Sequence, residues 1–254
     1  MAFRNGSNKP QKQGAHGVAR VISKRGYCSR SQAEKLVREG HVILRGKPVR
    51  DPETPAYEND EILVDGTPVT TSEFVYFAMN KPRGIVTTAS DEKGRKTVMD
   101  LFREQFAKMY PGKPMPHIAP IGRLDAASEG LLLFTNDTAW ADRVLTEASH
   151  ITIYRVQVAG KPTAAELAQM EKGFYVAARV FGEKEEFMHA ERVVFHSEGD
   201  KNCWLEITLS EGKNREIRRM LAHLGYEVMR LMRIQFDNFT LNDLKPGKIR
   251  AIQV

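Results

Sequence analysis

Residues 120–137, PIGRLDAASEGLLLFTND, read as a strand entering a polar turn and then a buried strand, Leu131–Phe134. Asn136 or Asp137 next offers a side-chain oxygen to cap the helix that follows. Asp125 falls in the turn between two apolar segments, where a carboxylate is partly desolvated and needs a partner. Local sequence leaves two readings of it open. It is either a turn residue bonded to its own backbone or a reactive carboxylate.

A partner is offered downstream in EGKNREIRRMLAHLG, residues 211–225. Asn214 can cap a helix whose apolar stripe is Ile217, Leu221 and Leu224. On that wheel Arg218 flanks the stripe, from where a guanidinium can hold a buried carboxylate ionised by paired hydrogen bonds. Arg215 and Arg219 point away from the stripe and, with Lys213, are free for phosphates near an anion-favouring helix start. In the strand Ile151–Val158, Tyr154 shares a face with Val156 and Val158 and is expected half buried. Such a tyrosine is either a core residue or, beside a carboxylate in an RNA enzyme, a platform for an extruded base.

Around these segments, strand-like runs at Phe74–Met79, Ile118–Ile121 and Trp204–Leu209 alternate with helical patterns near 138–147, 164–172 and 214–224. Several strands adjoin with no helix between them. That favours an α+β domain over residues 74–254, with a mixed, mainly antiparallel sheet and flanking helices. Pro68–Glu73 reads as a linker. Upstream, residues 17–70 form a small two-helix, short-strand module. Val18, Val21 and Ile22 make a helical stripe closed by Gly26, and Ser29 with Gln32 makes a capping box. Gly40 stops the second helix, and strands His41–Leu44 and Glu61–Val64 run into the turn dipeptides Arg45-Gly46 and Asp65-Gly66. Residues 1–16 are polar and read as a flexible basic tail.

Of the net charge of +6, residues 1–50 contribute +10 and residues 51–65 contribute −6, so one face attracts phosphate while another repels it. No run approaches the roughly 18 apolar residues of a membrane span. Met1–Gly17 lacks the apolar segment of a secretory signal. The two cysteines, Cys28 and Cys203, have no ligand-like spacing, which argues against a disulfide framework or zinc site and favours the cytoplasm.

The stretch GYCSRSQAEKLVREGHVILRGKPV, residues 26–49, resembles the S-four-type RNA-binding domain, which binds structured RNA with the start of its second helix and the adjoining turn. That resemblance makes Arg30, Lys35, Arg38 and Arg45 candidate phosphate contacts. GRLDAASEGLLLFTND, the Tyr154 strand and KNREIRRM, in that order, resemble the three motifs of the pseudouridine synthases. NKPRGIVTTASDEKGRKTVMDLF (80–102) and LKPGKIRAI (244–252) narrow the resemblance to the ribosomal RNA branch typified by RsuA and RluB. The resemblance implies that Asp125 is the reactive aspartate, Tyr154 the aromatic residue of the site and Arg218 the salt-bridge partner of Asp125. It also implies that Arg123 fills the hole left by a flipped base. Thr152 and Ile153 stand where the family often has a basic residue, and Asp237-Asn238 where it has a glycine pair; Asp and Asn tolerate a left-handed turn.

A pseudouridine synthase needs no redox change, phosphate transfer or energy input, so the resemblance implies no cofactor and no metal. It implies a monomer acting on ribosomal RNA or a ribosome-assembly intermediate, with large-subunit RNA favoured over small-subunit RNA or transfer RNA. Two other readings compete. An RNA-binding protein with an inactive second domain would not need Asp125, Tyr154 and Arg218 together. A hydrolase pairing Asp125 with one of the seven histidines would need a serine or cysteine nucleophile motif, which is absent.

Overall fold

Two dipeptides shape the N-terminal unit of the computed structural model, which describes residues 14–71, 73–88, 91, 93–146, 151–177 and 184–254. Arg45-Gly46 has φ of 50° and 75°, and Asp65-Gly66 has 49° and 76°. Positive φ at both central residues gives the turn whose twist fits a two-residue hairpin. Such turns join β2 to β3 and β5 to β6 in the series β1 (His16–Gly17), α1 (Val18–Lys24), α2 (Arg30–Glu39), β2 (Val42–Leu44), β3 (Lys47–Val49), β4 (Pro55–Ala56), β5 (Ile62–Val64) and β6 (Thr67–Pro68). The sheet order is β3-β2-β5-β6, and β1 pairs with β4. Of the basic tail expected over residues 1–16, residues 1–13 lie outside the described ones, while His16 pairs with Ala56.

The capping box at α2 is formed: Gln32 N–H donates to Ser29 Oγ (3.2 Å) and Ser29 N–H to Gln32 Oε1 (3.1 Å). Gly40 closes the helix at φ 87°. Val18, Val21, Ile22, Ala33 and Val37 from the helices meet Val42, Leu44, Ile62 and Val64 from the sheet in one core.

The chain divides at Phe74/Val75 into two compact units. The second runs β7 (Tyr76–Lys81), α3 (Val98–Met109), β8 (Ala119–Ile121), β9 (Glu129–Thr135), α4 (Thr138–Thr146), β10 (Thr152–Ala159), α5 (Ala164–Lys172), β11 (Phe174–Val176), β12 (Glu186–Met188), β13 (Arg192–Glu198), β14 (Asn202–Leu209), α6 (Glu216–His223), β15 (Val228–Phe236), β16 (Phe239–Thr240) and β17 (Ile249–Ala251). Its sheet order is β13-β14-β10-β15-β9-β7-β17. β9 and β15 pair parallel, and the other neighbours along this path are antiparallel. This is the mixed, mainly antiparallel α+β domain expected from the sequence.

All seven residues of β9 are buried because helices cover both its faces. Leu132 and Phe134 pack with Phe102 and Phe106 of α3, while Leu131 and Leu133 pack with Trp140 and Val144 of α4. Asp137 caps α4, accepting the N–H groups of Ala139 and Trp140 at 3.0 Å each. Asp237 adopts φ 51° in the two-residue turn from β15 to β16, so the left-handed turn survives without glycine. No described helix is long and apolar enough to cross a membrane.

The β9–β15 pairing is close at one point. Gly130 (φ 104°) lies opposite Arg233, and a Cβ added there would sit 2.2 Å from the Arg233 carbonyl oxygen. Gly130→Ala is therefore expected to destabilise the protein by about 3 kcal/mol or more, the upper range for forced overpacking. Denaturant unfolding measures this, and a change within about 1 kcal/mol would show that the two strands separate easily.

Candidate active site

Between β8 and β9 the chain makes an irregular loop whose backbone is held at five successive carbonyls. Thr87 Oγ1 donates to Leu124 O (2.7 Å), Ser128 N–H to Asp125 O (2.9 Å) and Gly84 N–H to Ala126 O (2.7 Å). Arg218 Nη2 donates to Ala127 O (3.2 Å), and Lys81 Nζ to both Ser128 O (2.8 Å) and Asp125 O (3.1 Å). Lys81 is fully buried. Burial pushes its ammonium down to about 8, against the opposing charges of Asp125 and Glu129. Buried carbonyls without donors are costly, so these bonds fix the loop's course. What they present is the Asp125 side chain, which is half exposed.

The arginine that meets Asp125 is Arg215, with Nη1 3.1 Å from Oδ2. The expected pair with Arg218 is not formed. Arg218 Nη1 donates to Val228 O (3.1 Å) and Nη2 to Ala127 O, so it grips the loop's backbone. The wheel fails because α6 starts at Glu216: Arg215 precedes it at φ 52° and ψ 32°, off the helical phase. For the same reason Asn214 does not cap the helix; the residue at that position, Arg215, makes no side-chain cap.

Two more cations depart from expectation. Arg219 is not free for phosphate: its Nη1 lies 2.5 Å from Glu186 Oε2 and its Nη2 donates to Ala177 O (3.2 Å). Lys213 is also engaged, with Nζ paired to Glu211 and donating to Phe187 O (2.8 Å). The cause is the antiparallel pair β11–β12, which the sequence pattern does not announce and which brings Glu186 and Phe187 to Arg219 and Lys213. Arg123 is exposed, lines the cleft beside Asp125 and makes no hydrogen bond among the described residues.

Tyr154, half buried on β10, packs on the apolar clusters at both ends of the sheet. Across the β10–β15 ladder it stands opposite Arg233, a buried arginine that donates from Nε to Leu131 O (2.7 Å) and lies 4.8 Å over the Phe236 ring. Burial lowers the Arg233 pKa and Tyr154 opposes the shift. Arg233 and Glu216 are buried parts of the site that sequence reasoning missed; a charge among the apolar residues of a strand, or at a helix start, gives no distinct signal. Asp125, Tyr154, Arg215 and Arg123 line a cleft of about 970 Å³ together with the apolar Leu231 and Phe236. Such a cleft can take a flat aromatic base against apolar walls with the Asp125 carboxylate at its edge. Among the described residues no group of three or more His, Cys, Asp or Glu could hold a metal ion.

In the N-terminal unit, Arg30, Lys35, Arg38 and Arg45 are all exposed, and each meets a carboxylate: Glu34 and Glu53, Glu39, Glu34, and Asp60 respectively. Exposed pairs of this kind are worth about 0–1 kcal/mol, so a phosphate can displace them.

Residues 75–223 match the family model of RNA pseudouridylate synthases, and residues 18–62 match the S4 domain. An uncharacterised RNA pseudouridine synthase of Rickettsia conorii is 35% identical over 93% of this chain and 96% of its own. The ribosomal large subunit pseudouridine synthase B of Bacillus subtilis is 33% identical over 92% of this chain and 91% of its own. A solved structure described as a pseudouridylate synthase superposes with a TM-score of 0.60 at 28% identity, covering 94% of this chain and 96% of that one. The chain belongs to the RNA pseudouridine synthases, in the RsuA/RluB type that carries an N-terminal S4 domain. It is an isomerase whose substrate is RNA.

The two arginines now have separable roles. Arg218→Ala removes charged donors from two backbone carbonyls and is expected to cost about 2–3 kcal/mol in denaturant unfolding. Arg215→Ala removes only an exposed pair and should change stability by less than about 1 kcal/mol. Equal losses would contradict the assignment of Arg218 to the loop backbone.

Proposed function

We propose that the protein converts a uridine of large-subunit ribosomal RNA to pseudouridine, with Asp125 as the reactive carboxylate. The observation that carries this reading is the placing of Asp125: backbone bonds fix its loop at the edge of a cleft that also holds Tyr154 and Arg215. A base inside a folded RNA has to leave its stack to reach such a group, and an aromatic wall offers it a new stacking partner. Tyr154 serves as that wall, and Arg123, free at the mouth, occupies the space the base vacates. The bond from ribose C1′ to base N1 breaks, the base turns over in the cleft, and a bond from C1′ to C5 replaces it. C5 gives up one proton and N1 gains one, so the product is an isomer. Arg215 donates to the Asp125 carboxylate and complements its charge as the reaction proceeds.

Large-subunit RNA is favoured by the likeness to the Bacillus subtilis enzyme, whose name gives that substrate. The exposed Arg30, Lys35, Arg38 and Arg45 supply phosphate contacts that add affinity without sequence information.

Asp125→Asn keeps the volume and removes the carboxylate. The variant is expected to fold, bind RNA and form no pseudouridine, and mapping in a strain carrying only this allele should show one site missing from large-subunit RNA. A missing site in small-subunit RNA or a transfer RNA would move the target. Retention of more than a trace of activity would remove Asp125 from the chemistry.

A further inference from the structure

Glu216, the first residue of α6, is 3% exposed although Arg215 before it stands open to solvent. Its Oε2 accepts the Lys213 N–H (3.1 Å), and its own N–H donates to the Lys213 carbonyl (3.2 Å). These two bonds close a ring around Asn214 and Arg215 and turn the chain through the left-handed conformation at Arg215. A non-glycine residue enters that region at a cost of about 1 kcal/mol or more, so something has to impose it.

The other oxygen, Oε1, is buried with no donor among the described residues. The carboxyl brought beside it is that of Glu211, which lines the same cleft and also meets Lys213. Neighbouring carboxyl groups disfavour double ionisation, which raises the pKa of the more buried one and favours a proton shared between them. Burial, and then the hydrogen bond and charge of Glu211, push Glu216 up to about 8. Glu211, though partly desolvated, is held below the usual carboxylate range by its bonds to Lys213 and Glu216. Burial thus favours the protonated form of Glu216, in which a carboxyl oxygen has a proton to donate.

The remaining charges around the pair are accounted for. His189, after β12, brings Nδ1 to 3.9 Å from Glu211 and Nε2 to 3.2 Å from Glu191. Glu191 also accepts from Ser210 Oγ (2.5 Å). Arg219 is spent on Glu186, and Arg215 reaches outward to Asp125.

We propose that Glu216 is a positioning residue for the reaction: it closes the Lys213–Glu216 turn from inside, shares one proton with Glu211, and so holds Arg215 against Asp125. This rests on Asp125 being the reactive carboxylate. Loss of the shared proton puts a second negative charge into a buried pair, loosens the turn and frees Arg215. Because the folded value lies above the ordinary carboxyl value, the stabilising contribution is full at acid pH and is lost as pH rises through about 8. Turnover should fall over the same range.

The test uses the full-length wild type, Glu216→Gln and Glu216→Ala in single-turnover assays on one ribosomal RNA substrate from pH 6 to 10. Thermal unfolding at each pH reports folding separately. A glutamine can accept the Lys213 N–H and donate to Glu211 without titrating. Glu216→Gln should therefore stay within about threefold of the wild type at pH 7 and lack its alkaline decline, while Glu216→Ala should lose about tenfold or more in rate with RNA affinity unchanged. A Gln variant that falls as far as the Ala variant, or that keeps the wild-type alkaline limb, overturns the proposal. If Glu216→Ala does not fold, the pH profile of Glu216→Gln decides alone. A wild type that forms no pseudouridine in that RNA would instead fault the functional reading. The latch is then read by a carbon-13 titration of the Glu216 carboxyl in the free protein, where a midpoint near 4.5 overturns it.

Discussion

The site depends on one constraint: the carbonyls of residues 124–128 must all find donors although the loop that carries them is irregular. In a helix or sheet the backbone satisfies itself, but here, apart from the Ser128 N–H on Asp125 O, the donors come from elsewhere in the fold. Lys81 ends β7, Gly84 and Thr87 follow it, and Arg218 reaches across from α6. Two separated stretches of chain, residues 81–87 and helix α6, must be in place before the loop has its shape. Asp125 is thus positioned by the closure of the whole second unit. Its own side-chain pair, half exposed, would be too weak to do this.

This division of labour lets the Asp125 carboxylate sit at the cleft without being buried. Burial is assigned to Lys81, whose ammonium spends its three protons on carbonyls. The parallel contact of β9 and β15 at Gly130 brings Arg233 under the same cleft, where it meets Tyr154. Tyr154 on β10 and the Asp125 loop before β9 are therefore linked through β15, and their separation is set by sheet geometry.

Much of this was legible in particular residues. Leu131–Phe134 can only be a strand covered on both faces, Ser29 with Gln32 and Gly40 bracket a helix, and Arg45-Gly46 marks a hairpin. What escaped the pattern were elements whose burial is uneven. β15 interrupts its apolar residues with Arg230 and Arg233, and α3 follows a stretch with no clear period, although Thr97 and Asp100 do form a capping box there. The site was legible as a set of segments more than as a set of contacts. A helical wheel assigns Arg218 to Asp125, but the left-handed residue at 215 breaks the wheel one position before the helix. No periodicity records such a break. Arg219 and Lys213 are absorbed by an antiparallel pair whose two strands have three residues each, too short to show alternation.

The central claim is that the strapped loop, and Lys81 above all, places Asp125 for chemistry. Lys81→Met fills nearly the same volume without donating to the carbonyls, so single-turnover pseudouridine formation at saturating RNA tests it directly, alongside amide exchange of Gly84 and Ser128. The account predicts a folded protein with faster exchange at both amides and a turnover lower by about two orders of magnitude, the scale of a misplaced reacting group. Turnover within a factor of about three of the wild type, with the loop amides loosened, would contradict it.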